Sequence, residues 1–88
     1  MKEIIFSKSF TKHLEKICRI SKNIEKRIEE RINLFVRDRD NSILQDHQLK
    51  GKKLNLRSFS VKGDLRIIYF EDENYYYFED IGTHNQVY

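Results

Sequence analysis

Arg57-Ser58-Phe59-Ser60-Val61-Lys62-Gly63-Asp64-Leu65-Arg66-Ile67-Ile68-Tyr69-Phe70-Glu71 is the stretch that decides the fold. Arg57, Phe59 and Val61 share one side of a period-two pattern, with Leu56, Ser58 and Ser60 on the other. Leu65, Ile67 and Tyr69 likewise oppose Arg66, Ile68 and Phe70, which is the spacing of a second strand. Lys62-Gly63-Asp64 between them reads as a tight turn. A further turn at Asp72-Glu73-Asn74 leads into Tyr75 to Ile81. Three strands joined by short turns predict an antiparallel meander.

Upstream the period changes. Phe10, Leu14, Ile17 and Cys18 fall at i, i+4, i+7 and i+8, one stripe of an amphipathic helix. Ser7 or Ser9 is placed to cap it. Ile24, Ile28, Ile32, Phe35 and Val36 make a second stripe, with Ser21 or Asn23 as its cap. So short a connection between the two predicts an antiparallel helical hairpin. Ile4-Ile5-Phe6 ahead of it is a short strand candidate. Asp38 to Gly51 is polar and reads as a long connection with a turn of helix, anchored by Leu44 and Leu49. The predicted class is α+β, in the order β-α-α-β-β-β: a small antiparallel sheet of about four strands, one face covered by the helical hairpin.

Eighty-eight residues predict one small domain, spanning 1–88. Charged residues make up 35% of the chain, but eleven Phe and Tyr are enough for a core, so disorder is not expected. The longest apolar runs are far too short to span a bilayer, and the N-terminus does not read as a signal peptide. The one cysteine, Cys18, excludes an internal disulfide, fits a reducing cytoplasm and falls at a core position. Charge is unevenly spread. Residues 8–37 carry nine Lys/Arg against four Glu, and 47–67 carry six against one Asp; 68–88 carry five acids and no Lys or Arg. A charged helix is usually a solvated face, so the first cluster says little. The second, Lys50, Lys52, Lys53, Arg57, Lys62 and Arg66, is interleaved with His47, Phe59 and Tyr69, and suits a polyanion.

No cysteine-rich or HExxH metal signature, glycine-rich phosphate loop or nucleophile elbow is present. His13 sits between charged neighbours and reads as surface. His47 and His84 bracket the basic meander and can meet at one sheet end. Metal ligation by two histidines without a further ligand is the weaker use of them. A ribonuclease fits the residue types better. RNA cleaved by its own 2′-hydroxyl needs a base for that proton, an acid for the leaving 5′-oxygen, and cations where charge builds on the phosphate. His47, Asp64, His84, Arg57 and Arg66 supply such a set. Each has a plainer use: Asp64 as a turn residue, the arginines as cross-strand partners of Glu71 or Glu79, and Tyr75-Tyr76-Tyr77-Phe78 as strand filler. The final Ile81-Gly82-Thr83-His84-Asn85-Gln86-Val87-Tyr88 reads as a terminus tied down at a site rather than a frayed tail.

In order and spacing, several segments together resemble the RelE/ParE superfamily of toxin–antitoxin toxins, nearest the YafQ-like ribonucleases. They are Phe6-Ser7-Lys8-Ser9-Phe10, Asp46-His47-Gln48-Leu49-Lys50-Gly51, Leu56-Arg57, Gly63-Asp64-Leu65-Arg66-Ile67-Ile68-Tyr69 and the last eight residues. The resemblance implies a type II toxin that cuts mRNA, typically on the ribosome, without a cofactor. It leaves a 2′,3′-cyclic phosphate and a 5′-hydroxyl, and a cognate antitoxin blocks the site. It implies His47, Asp64 and His84 in cleavage, Arg66 as a cationic position of the wider superfamily, and Tyr88 near the scissile nucleotides. Lys50, Lys52, Lys53 and Arg57 are the expected RNA-binding cations. One position departs: YafQ-like enzymes carry a further histidine where this chain has Ser60, a poor acid or base at neutral pH. The alternatives are a ParE-like gyrase poison without nuclease activity and a catalytically weakened member that only binds antitoxin.

Overall fold

The computed structural model describes residues 2–49 and 55–83. The chain forms β1 (Glu3–Phe6), α1 (Lys8–Ile20), α2 (Lys22–Arg37), a 3₁₀ turn (Ser42–Leu44), β2 (His47–Gln48), β3 (Arg57–Lys62), β4 (Leu65–Glu71) and β5 (Tyr75–Thr83). The helical hairpin lies on one face of a five-stranded sheet of order β1-β5-β4-β3-β2, so the α+β class and its covering hairpin are as expected. The sheet is mixed rather than wholly antiparallel, because β1 runs parallel to β5, Glu3 opposite Tyr75 and Phe6 opposite Phe78. A four-residue strand carries no direction in its own pattern. Its direction is set by the long crossover that parallel pairing requires. The fifth strand is β2, whose two residues are too few to show a period.

Serines at the helix ends set the hairpin. Ser7 caps α1 by accepting from the Phe10 N–H at 2.9 Å, and its own hydroxyl donates to the Glu79 carbonyl at 2.6 Å. That second bond ties the start of α1 to β5. Ser21 does two jobs: its backbone N–H donates to the Ile17 carbonyl, and its side chain accepts from the Ile24 N–H. One residue therefore ends α1 and opens α2.

The core lies between helices and sheet and is largely aromatic. Phe35 of α2 stacks on Phe59 of β3 at 4.5 Å between centroids and meets Tyr69 and Tyr76 edge-on at 4.8 Å. Phe10 of α1 packs edge-on against Phe78 of β5. Val61, Ile67, Ile81 and Leu44 complete the buried cluster. Gly63 has φ +54° in the β3–β4 turn, the one place where this hairpin needs a residue free of a Cβ. Beyond that turn two irregularities break the ladder. One lies between Ser60 and Lys62, the other where Ile68 faces Asp80 but Tyr69 faces Phe78, leaving Glu79 over. β5 also runs past the expected Ile81 to Gly82 and Thr83, which pair with Arg66 and Leu65.

Among the described residues no helix is long and apolar enough to cross a membrane. Cys18 is half-buried, and burial first, then the hydrogen bond and charge of Glu25, push its thiol up, away from thiolate reactivity.

Candidate functional site

Strand alternation sends Phe59, Val61, Ile67 and Tyr69 toward the helices and Ser58, Ser60, Arg66 and Ile68 to the opposite side of the sheet. The β3–β4 part of that second face is buried as well: Ser58 is 0%, Ser60 8%, Arg66 8% and Ile68 3% exposed. A buried polar group must find partners, and the acceptors that Arg66 finds among the described residues are neutral. Its Nε donates to Ser58 Oγ at 2.9 Å, and Nη2 donates to the Gln45 carbonyl at 2.9 Å and the Ser58 carbonyl at 3.3 Å. Among the described residues no carboxylate pairs with it. A buried cation without a counter-ion is unfavourable unless an anion is brought to it.

His47 stands beside this guanidinium. It is exposed on the edge strand β2, in register with Ser58, and its Nδ1 lies 3.4 Å from Arg66 Nη2 and 2.9 Å from the Gln45 carbonyl. The structure thus brings together two of the expected catalytic residues, an imidazole and a guanidinium. Ser60 is the ladder partner of Arg66, at the position where the resemblance expects a histidine. Gly82 flanks Arg66 on the other side.

The other candidates fall elsewhere. Asp64 is exposed in the β3–β4 turn, two residues before Arg66, and makes no hydrogen bond among the described residues. Arg57 lies on the helix side of the sheet, opposite Tyr69, so it and Arg66 do not converge on one phosphate. Its Nε and Nη2 grip Asp46 Oδ1 at 2.8 and 2.6 Å, and its Nε also donates to the Tyr69 hydroxyl at 3.2 Å. Lys50, Lys52, Lys53, His84 and Tyr88 lie outside the described residues, and so does half of the His47–His84 pair considered for metal. Glu71, one of the two acids expected opposite the arginines Arg57 and Arg66, takes Lys2 and Arg39 instead, each at 2.7 Å. His13 Nδ1 donates to Asp80 Oδ1 at 2.6 Å, so this half-buried histidine is paired rather than free surface.

Sequence reasoning gave no role to Gln45 or Asp46. Asp46 is 5% exposed at its side chain and is held by Arg57, by the Tyr69 hydroxyl, and at 3.9 Å by Arg39. Burial, then the bond to Asp46, pushes the Tyr69 phenol far above its ordinary value, so it stays a proton donor to that carboxylate. Burial pushes Glu71 up, but the hydrogen bonds from Lys2 and Arg39 prevail and hold it below the usual carboxylate range. An acid next to a candidate histidine was the one available signal.

A family model described as the bacterial toxin of a type II toxin–antitoxin system, YafQ, matches residues 2–88. No curated protein matches the chain in sequence. Among solved structures, YafQ from E. coli strain BL21(DE3) superposes with TM-score 0.82 at 20% identity, covering 100% of this chain and 99% of that one. The E. coli DinJ–YafQ complex gives 0.80 at 21%, covering 100% and 99%. The YoeB dimer from Staphylococcus aureus gives 0.75 at 21%, covering 94% and 97%. At such identities the superpositions establish the fold, and the family model establishes the kinship: this chain belongs to the YafQ family of type II toxin–antitoxin toxins.

Proposed function

We propose that this toxin is an endoribonuclease that cleaves mRNA on the polar face of its sheet, at Arg66 and His47. The observation that carries the reading is the buried Arg66 guanidinium, bonded among the described residues to neutral acceptors and set beside an exposed imidazole. A phosphodiester supplies the missing negative charge, and its negative charge grows in the transition state, where a fixed guanidinium helps most. His47 removes the 2′-hydroxyl proton, the 2′-oxygen attacks phosphorus, and the bond to the 5′-oxygen breaks. His84 returns a proton to that leaving oxygen, giving a 2′,3′-cyclic phosphate and a 5′-hydroxyl. The nucleophile is the substrate's own, so the step calls for no cofactor. Asp64 flanks the site from the hairpin turn. Lys50, Lys52, Lys53 and Tyr88 are the proposed contacts to the rest of the RNA, and the ribosome is the proposed place of cutting. Arg57, already neutralised by Asp46, supports the fold of the site more than it holds phosphate.

The DinJ–YafQ complex of a structural neighbour supports a cognate antitoxin as this chain's partner. An acidic antitoxin segment suits the basic residues of 47–67. Mapping transcript ends after induced expression in bacterial cells tests the activity. Cuts within reading frames are expected, and His84→Ala is expected to abolish both cutting and growth arrest. DNA damage with intact mRNA would establish gyrase poisoning instead, and neither effect would mark a member that only binds its antitoxin. A fully toxic His84→Ala removes His84 from the mechanism.

A further inference from the structure

Asp46 and His47 are neighbours that point to opposite faces of the sheet. Asp46 is anchored on the helix side by Arg57 and Tyr69, while His47 is displayed beside Arg66. Between them and the 3₁₀ turn sits Gln45, with φ 48° and ψ 43°, the one non-glycine residue with positive φ among those described. Left-handed backbone is unfavourable for an L-residue, and such strain persists where surrounding contacts impose it. The side chain of Gln45 is exposed, so the strain does not serve packing. Gln45 caps the 3₁₀ turn, its N–H donating to the Ser42 carbonyl, and the same angles aim its own carbonyl, which meets His47 Nδ1 and Arg66 Nη2, each at 2.9 Å.

A carbonyl oxygen only accepts, so a ring nitrogen at that distance must carry a proton. Arg66 only donates. Its 3.4 Å approach to the same Nδ1 is therefore the meeting of two donors that share one acceptor. Free imidazole in a histidine side chain favours the opposite tautomer, with the proton on Nε2.

We propose that Gln45 and Asp46 are positioning residues that set the tautomer of His47. The Gln45 carbonyl holds the proton on Nδ1, and the Asp46 anchor holds that carbonyl in place, so Nε2 is presented as the proton acceptor. Arg66 is aligned by the same oxygen, which couples the phosphate cation to the base. The inference rests on the ribonuclease reading for its purpose, but the tautomer itself is observable without RNA.

Long-range proton–nitrogen NMR of the labelled protein in alkaline buffer reads the tautomer directly. Nδ1 of His47 is expected to be protonated and Nε2 bare. Gln45→Gly, which adopts the same φ without strain, is expected to keep that tautomer and full RNA cleavage. Gln45→Val, whose β-branch opposes positive φ, and Asp46→Asn, which weakens the anchor, are expected to shift His47 toward the Nε2–H form and to slow cleavage at least about tenfold. Circular dichroism identifies any variant that fails to fold, and the Gln45 pair stands without Asp46→Asn. His47 found with its proton on Nε2 in the unmodified protein would overturn the proposal, as would a tautomer unmoved by Gln45→Val. A protein with the expected tautomer that cuts no RNA supports the positioning role and contradicts the ribonuclease reading alone.

Discussion

The two faces of this sheet each bury residues, but on different physics. On the helix side Phe10, Phe35, Phe59, Tyr69 and Phe78 interlock through ring contacts, and burial of apolar area is the driving term. On the other side Ser58, Ser60 and Arg66 are as enclosed, but they are held by directional bonds to Gln45 and to one another. The first arrangement specifies the fold, and small changes there cost stability. The second keeps a cation desolvated with no carboxylate partner among the described residues, and changes there should cost activity instead. Asp46 joins the two, gripping the helix side while its neighbour His47 is displayed on the other.

The comparison breaks most readily at Phe35. Phe35→Ala should lose about 3–5 kcal/mol in denaturant unfolding, because the ring contacts β3, β4 and β5 at once. Arg66→Met should show the reverse signature. We expect single-turnover cleavage to fall by about 10²–10³-fold, with unfolding free energy within about 1 kcal/mol of the parent, since an apolar replacement also removes a buried charge. Arg57→Met, the same change on the opposite face, strips Asp46 of a charge-assisted partner and should cost about 2 kcal/mol. If Arg57→Met kept stability and lost activity while Arg66→Met did the opposite, the assignment of the two faces would be reversed.

Legibility in the sequence follows the same division. Period-two and helical stripes marked Phe59, Val61, Ile67, Phe35 and Phe10 because apolar burial leaves a repeating trace. Ser7 and Ser21 were among the candidate caps because a capping oxygen has fixed spacing from the amide it serves. The parallel direction of β1 and the two-residue β2 were not readable, since neither is written in a local pattern. The placement of His47 beside Arg66 was anticipated only as a shared chemical capacity. That Arg57 faces the other way follows from the strand alternation already noted in the sequence, where it shares a side with Phe59 and Val61. Gln45 left no trace, because its contribution is a backbone angle and a carbonyl direction rather than a side chain.

Smaller effects sharpen the account. Glu71 is held below its unfolded value, so its ion pairs stabilise the fold above about pH 4.5 and are lost as pH falls through the lower folded value. Melting temperature should therefore drop more steeply below that pH in the parent than in Glu71→Gln. Ser60→Ala should change cleavage by less than about threefold, because a serine hydroxyl transfers no proton at neutral pH. A large loss there would give Ser60 a direct role. His13→Ala, breaking a partly exposed pair with Asp80, should cost under about 1 kcal/mol.

The most direct test of the polar face as the cutting site is the chemistry of fragment ends from an mRNA translated in a cell-free reaction with this toxin or its Arg66→Met variant. The parent should leave 2′,3′-cyclic phosphate and 5′-hydroxyl ends, and the variant should leave the message intact. Intact message with the parent, or undiminished cutting by Arg66→Met, would contradict it.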